Sequence, residues 1–239
     1  MQRLSPALWL AGIACAVGCG TLAAQAGETN PDSKPKMNAP ETAIKPPIPP
    51  TADSIVIAGG CFWCVEALFD ELKGVYEAES GYAGGTIKNP TYKQVVTGGT
   101  GHAEVVRIWF DPKAIDAEDL LRIFFTTHDP TQLNRQGNDI GTQYRSAVFF
   151  RNEAEKARAQ KIIDEITAEK LYEGKIVTTL EPLTDFYIAE DYHQDYFVKF
   201  EKATPEQRAQ MNSGYCSVVV APKVQKFREK YREKLEKKG

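Results

Sequence analysis

Sulfur and imidazole are scarce in this chain. Its 239 residues hold 5 cysteines, 3 histidines and 3 methionines, and no cysteine or histidine falls in a recognised zinc spacing, such as one Cys-x-x-Cys followed by another. A metal cage is therefore unsupported, and His102, His128 and His193 are each expected as satisfied structural histidines. Charge of one sign is also missing: a net charge of -3 supplies no global attraction for nucleic acid or anionic lipid. The basic tail after Lys223 interleaves Glu229, Glu233 and Glu236 with its cations, the pattern of a solvated helix face. No apolar run reads as a membrane span, and no internal repeat is present. Neither Gly81 to Gly85 nor Gly98 to Gly101 has the strand-to-helix setting of a nucleotide loop.

What is present begins with an export pattern. Arg3 supplies a positive start, Leu8 to Val17 an apolar segment and Ala24-Gln25-Ala26 a small-residue cleavage site, so residues 1–26 read as a signal peptide directing the chain to a bacterial periplasm. Ala16-Val17-Gly18-Cys19 offers a less favoured alternative, a lipobox with alanine in place of the usual leucine, in which Cys19 would carry a lipid anchor. Removal of residues 1–26 takes Cys15 and Cys19 with it and leaves Cys61, Cys64 and Cys216. That odd number suits exchanging thiols better than a disulfide framework. Residues 27–53 contain seven prolines, from Pro31 to Pro50, and almost no large apolar side chains. They read as a disordered tether, with one folded domain over 54–239.

Within that domain, Ile55 to Ala58 reads as a strand. Phe62, Val65, Phe69 and Leu72 then recur at helical spacing until Gly74. Ser80 to Gly101 is rich in Gly, Asn, Pro and Thr and is expected as a long irregular segment. Glu104 to Phe110 reads as a strand, Asp116 as the cap of the next helix, and Ser146 to Phe150 as another strand. Asn152 and Glu155 form a capping-box pattern opening a helix to about Leu171, followed by a short strand at Val177 to Leu180. Strands alternating with helices imply layers of helix on one sheet, an α+β or α/β sandwich.

The chemistry centres on Gly59-Gly60-Cys61-Phe62-Trp63-Cys64, where strand gives way to helix. A cysteine beginning a helix faces unpaired amides and the positive end of the helix dipole, which favour thiolate. The bland alternative is a small buried hydrophobe.

The run Gly-Gly-Cys61-Phe-Trp-Cys-Val-Glu resembles the active-site signature of the peptide methionine sulfoxide reductase A family. Further blocks resemble that family in order: Ser80 to Gly85, Asn89 to Tyr92, Gly99 to Glu104, Asn138 to Ser146 and Ala189 to Gln194. The resemblance implies an α+β fold, with helices on a mixed sheet and a ferredoxin-like core. It also implies reduction of the S epimer of methionine sulfoxide. In that likeness Cys61 is the nucleophile and Glu104 the acid that protonates the sulfoxide oxygen. Tyr92 and Tyr144 supply hydroxyls to the same oxygen, and Asp139 is a supporting polar residue. Glu104 must then be protonated, which requires an apolar setting. Phe62 and Trp63 would supply it and cradle the substrate methyl group, although Phe62 is equally suited to a core.

The resulting sulfenic acid needs a second thiol. Cys216, following Gly214 on an expected mobile C-terminal segment, resembles the family's resolving cysteine and is placed first, with Cys64 as the alternative or a later exchange partner. No bound cofactor or metal is expected. The external reductant is thioredoxin or a similar dithiol, the partners are free or protein-bound methionine sulfoxide, and the chain is expected to be a monomer. No second Cys-rich region suggests activity on the R epimer. Two other readings stay open: a thiol-disulfide oxidoreductase using Cys61 and Cys64 alone, and a binding module whose aromatic Asp185 to Tyr196 loop docks a partner.

Overall fold

The computed structural model describes residues 45 and 47–236. The expected signal at 1–26, Cys19 and most of the 27–53 tether lie outside the described residues.

The chain opens with β1 (Asp53–Gly59) and α1 (Phe62–Phe69), continues through β2 (Val75–Ala83), α2 (Tyr92–Val95) and β3 (Ala103–Phe110), and then forms α3 (Ala117–Thr127). A small hairpin of β4 (Arg135–Gln136) and β5 (Asp139–Ile140) precedes β6 (Ser146–Phe150), α4 (Glu153–Ala168), β7 (Thr179–Pro182) and β8 (Phe186–Ile188). The C-terminal part is helical: α5 (Tyr196–Lys202), α6 (Pro205–Arg208) and α7 (Ser213–Tyr215), then a π-helical turn at Cys216–Val220 that runs into α8 (Ala221–Lys230).

Six strands form one sheet in the order β7-β6-β1-β3-β2-β8, antiparallel except for the parallel β6–β7 pair. The mixed sheet with helices packed around it is the expected α+β class. β1 lies inside the sheet between β3 and β6, and both its faces are covered. Ile57 joins the large helix-covered cluster, whereas Val56 and Ala58 join a smaller cluster with Ala103, Val105 and Phe149 on the opposite face. The end of this central strand is a fixed platform for Cys61.

The local signals at α3 and α4 have direct counterparts. Asp116 accepts the Asp119 N–H at 2.7 Å, and Asn152 accepts the Glu155 N–H at 3.0 Å. The Glu155 carboxylate reaches back one residue further than a capping box requires, to the Arg151 N–H at 2.8 Å. Elsewhere the structure departs from expectation. α1 stops at Phe69 rather than near Lys73, and every one of its residues is buried, so it has no solvated face to generate a 3.6-residue pattern. The segment expected to be irregular from Ser80 begins inside β2, which pairs with β3 from Val75 opposite Phe110 to Ala83 opposite Ala103. Gly214 lies within α7, and Cys216 is fully buried on a helical turn, not on a loose segment.

α8 is bound to the end of α1 by charge. Arg228 donates to Glu71, just beyond α1, at 2.9 Å and to Glu201 of α5 at 2.9 Å. The Glu71 side chain is 8% exposed and Arg228 39%, so removing the cation strands a carboxylate that has little water of its own. Arg228→Met is expected to cost about 2 kcal/mol, discounted for the exposed guanidinium, and to lower the melting temperature by about 4–8 °C. A calorimetric midpoint equal to that of the unsubstituted chain would show that this network contributes nothing.

Candidate active site

Cys61 is the N-cap of α1, delivered by the turn at the end of β1. Gly60 there has φ +92°, and a Cβ would come within 2.6 Å of Gln136 Cβ, so the turn requires glycine. The first amide of α1 is already engaged: the Phe62 N–H donates to Glu104 Oε2 at 3.0 Å. Glu104 projects from β3, where it pairs with Tyr82 of β2, and is 2% exposed. Burial pushes its carboxyl up to about 8; the Phe62 N–H opposes the rise, while the charges of Asp139 and Cys64 add to it. At neutral pH Glu104 is therefore an acid with a proton to give.

The thiols are not as the helix dipole alone predicts. Burial raises the Cys61 thiol well above its ordinary value, followed by its hydrogen bond with Cys64 and the Glu104 charge. Its partner Cys64 is brought down to about 7, chiefly by the hydrogen bond from Cys61 and against its own burial, with Lys223 and Tyr215 contributing. Magnitudes explain the reversal: a helix terminus is worth about 0.3–1 kcal/mol, less than the 1.36 kcal/mol of one pKa unit, whereas burial shifts pKa by up to about 3–5 units. The resting dithiol thus keeps its proton on Cys61.

Aromatic residues surround this helix start. Phe62 is 1% exposed and Trp63 8%. The Phe62 ring lies 6.4 Å from that of Tyr92 at 19°, and Trp63 stacks on Tyr196 at 3.8 Å and 6°. Trp63 Nε1–H donates to His193 Nδ1 at 3.1 Å, and the His193 ring lies 4.4 Å from Tyr92. Tyr92 is the first residue of α2; its N–H donates to Glu190 Oε1 at 2.8 Å, while Tyr82 Oη–H donates to Glu190 Oε2 at 2.8 Å. Both phenols directed at the site are held above their ordinary range by burial and then by Glu104, with Cys61 also acting on each, so Tyr92 and Tyr144 are neutral donors that share a field with the acid and the thiol. The aromatic loop considered above as a docking element is tied into the fold: Phe186–Ile188 is β8, and His193 and Tyr196 are buried. Besides Glu190 and His193, the Gln194 amide accepts the Ser80 N–H at 3.0 Å and donates to the Ser80 carbonyl at 2.9 Å.

Asp139 lies on β5, and its Oδ2 accepts the Tyr215 hydroxyl at 2.6 Å. The same hydroxyl is 3.9 Å from Cys64 Sγ, and the Tyr215 ring meets Trp63 edge-on at 6.1 Å. Cys61, Cys64, Glu104, Tyr92, Tyr144, Asp139, Phe62 and Trp63 are therefore brought to one site. Cys216 borders it: burial, then the Cys64 charge, push its thiol up to about 12. Reading the sequence missed Tyr215 and Glu190 as site residues. Tyr215 could have been suspected from its place beside Cys216, but the bridging role of Glu190 is visible only once β2 and α2 are in position. The histidines are internal: His102 bonds the Ile87 carbonyl at 2.7 Å, and His128 bonds the Phe124 carbonyl and Ser146 Oγ at 2.7 and 2.8 Å. Among the described residues no group of three His, Cys, Asp or Glu side chains could hold a metal ion.

Residues 53–235 match the family model described as peptide methionine sulfoxide reductase. A peptide methionine sulfoxide reductase MsrA from Nitratiruptor sp. is 53% identical over 185 residues, which is 77% of this chain and 99% of that one. The MsrA of Deinococcus radiodurans is 50% identical over 183 residues, covering 77% and 84% of the two chains. Among solved structures, reduced Mxr1 from Saccharomyces cerevisiae aligns with a TM-score of 0.59 at 36% identity, over 65% of this chain and 90% of that one. Methionine sulfoxide reductase A of Corynebacterium diphtheriae gives 0.58 at 36%, over 65% and 78%.

The site makes a direct prediction about proton affinity. The Glu104 carboxyl carbon, followed by NMR in the folded protein, is expected to titrate near pH 8. Because this folded value lies above the unfolded one, the group contributes stability that is fully present below about pH 4.5 and lost as pH rises through about 8. A midpoint in the ordinary glutamate range would remove the buried acid from the site.

Proposed function

The chain belongs to the peptide methionine sulfoxide reductase family, and on that premise we propose that it reduces the S epimer of methionine sulfoxide through a sulfenic acid on Cys61. The observation that carries this reading is the 3.0 Å bond from the Phe62 N–H to Glu104, which fixes a buried acid beside the nucleophile.

A sulfoxide is a poor electrophile until its oxygen gains a proton. Glu104 gives its proton to that oxygen and takes the one leaving Cys61, as the Cys61 sulfur attacks the sulfoxide sulfur. The oxygen passes with its proton to Cys61. Methionine leaves as the thioether, its sulfur reduced by two electrons, and Cys61 is oxidised by two to the sulfenic acid. Tyr92 and Tyr144 hydrogen-bond the oxygen during transfer, Asp139 supports the polar side of the site, and Phe62 and Trp63 enclose the methyl group.

A second thiol then attacks the Cys61 sulfur, its proton passes to the departing hydroxyl, the S–O bond breaks and water leaves. The family resemblance puts Cys216 first here. The position of Cys64, one helical turn from Cys61 on α1 and lowered by it to about 7, favours Cys64, whereas Cys216 is fully buried on its own helical turn. In our reading Cys64 closes the first disulfide and Cys216 takes it over by exchange. Thioredoxin or a similar dithiol returns the two electrons. Export through residues 1–26, a folded domain over 54–239 and a monomeric chain complete this reading; the motif order at the N-terminus supports the first.

Incubated with S and R sulfoxides of a methionine derivative, the reduced chain is expected to release methionine from the S form alone, and inactivity on S with intact thiols would sink the assignment. Glu104→Gln keeps a donor but has no proton to release. Its single-turnover rate is expected to fall by about 10²-fold or more and to lose the decline through pH 8 that Glu104 ionisation imposes.

The order of thiols is read separately. Cys64→Ser should let the Cys61 sulfenic acid accumulate for capture by a dicarbonyl probe, and Cys216→Ser should form its first disulfide at the full rate. The opposite pattern would return Cys216 to the first step.

A further inference from the structure

One residue outside the matched family region reaches the underside of the catalytic helix. Lys45 precedes residue 53, where the match begins, and its Nζ lies 2.9 Å from Asp70 Oδ1 and 2.9 Å from Asp195 Oδ1, with Glu77 Oε1 at 3.9 Å. Asp70 is the C-cap of α1 and Asp195 the N-cap of α5. Between them Glu66 of α1, 2% exposed, lies against the Asp195 backbone and leaves Oε1 without a hydrogen-bond partner. Glu66, Asp70, Glu77 and Asp195 thus form an acidic socket whose cation comes from the Pro-rich segment.

The socket touches the substrate pocket through one backbone step. Asp195 adopts a left-handed conformation, φ +51°, which an aspartate keeps only where its surroundings over-determine it. The next residue, Tyr196, is the plate on which Trp63 stacks at 3.8 Å.

We propose that Lys45 is a positioning residue for the reductase: its ammonium holds Asp195, and through Tyr196 the Trp63 wall of the methyl pocket, so the N-terminal segment completes the site. Without the cation, the socket carboxylates repel one another, Asp195 relaxes and the Trp63–Tyr196 stack loosens. The effect falls on substrate capture, because Cys61 and Glu104 are anchored at the other end of α1 by β1 and β3.

This inference rests on Trp63 lining the methyl pocket, and the test separates the two. In the full chain, single-turnover methionine formation is followed against the concentration of free methionine S-sulfoxide. Lys45→Met is expected to raise the half-saturating concentration about three- to fivefold, the size of a partly exposed ion pair, with the saturated rate within about twofold. Lys45→Arg is expected to restore most of the loss. Asp195→Asn should act in the same direction, and adding Lys45→Met to it should change little.

Trp63→Phe is the control. If it leaves half-saturation unchanged, the pocket reading fails; if it raises half-saturation and Lys45→Met does not, Lys45 has no positioning role. A Lys45→Met chain that melts earlier with unaltered half-saturation, or an effect that persists at full size beside Asp195→Asn, would also overturn the inference. Should Lys45→Met fail to fold, the comparison of Lys45→Arg with Asp195→Asn decides by the same criteria.

Discussion

The hydrogen bond from the Phe62 amide to Glu104 is the constraint around which the site is arranged. A helix N-terminus offers unpaired N–H groups, and they serve either a thiolate or an acid. Here the first is committed to the acid. That commitment works only because two independent parts of the fold arrive in register: α1 begins where β1 ends, and β3 lies beside β1 with Val106 opposite Ile57, bringing Glu104 to the same end of the sheet. A slip of one residue between these strands would turn Glu104 to the other face. The buried sheet interior therefore does more than supply stability; its register sets which side chain meets the sulfur.

Closing the site raises the proton affinity of both partners. Burial stabilises the neutral forms of Cys61 and Glu104 together, which would be a fault in an enzyme that needed a standing thiolate. It suits a reaction in which the thiol proton is handed over as the sulfoxide oxygen receives one, because no charge need persist in a dry pocket. Cys64 is lowered instead, chiefly by its interaction with Cys61, so of the two thiols it is the easier one to ionise. Cys61 and Cys64, three positions apart in sequence, are thus shifted in opposite directions, Cys61 chiefly by burial and Cys64 chiefly by its partner thiol.

Elements whose causes are local were legible in the sequence. Asp116 and Asn152 cap helices through contacts three residues away, and Ser146–Phe150 carries its own strand pattern. The motif blocks likewise marked Cys61, Glu104, Tyr92, Tyr144 and Asp139, which meet in space although they come from the cap of α1, from β3 and β5, from α2 and from the short helical turn Thr142–Tyr144. What stayed hidden depends on distant neighbours. β2 contains Glu77, Glu79, Ser80 and Gly81, poor strand formers that are held by pairing with β3 on one side and β8 on the other. α1 shows an apolar stripe in sequence but is enclosed on every side. The contacts of Lys45, Glu190 and Tyr215 join residues about 25 to 150 positions apart, beyond the reach of any periodicity.

The position of Cys216 illustrates how fold context alters a chemically correct inference. A glycine before a cysteine near the end of a chain reads as a hinge, yet Gly214 is part of a helical run that continues to Lys230. The run is secured at one end by Tyr215 on Asp139 and at the other by Arg228 on Glu71. Cys216 is fully buried on that turn, beside the Tyr215 that bonds Asp139, so in the proposed cycle its exchange with the disulfide would disturb both. Cys64 requires no such rearrangement. On the proposed order of thiols, the packed C-terminal helix would stand between closure onto Cys64 and transfer to Cys216, the one step that would have to open it. Since the π-helical turn at Cys216 breaks the regular hydrogen-bond ladder where opening is needed, the weak point and the thiol coincide.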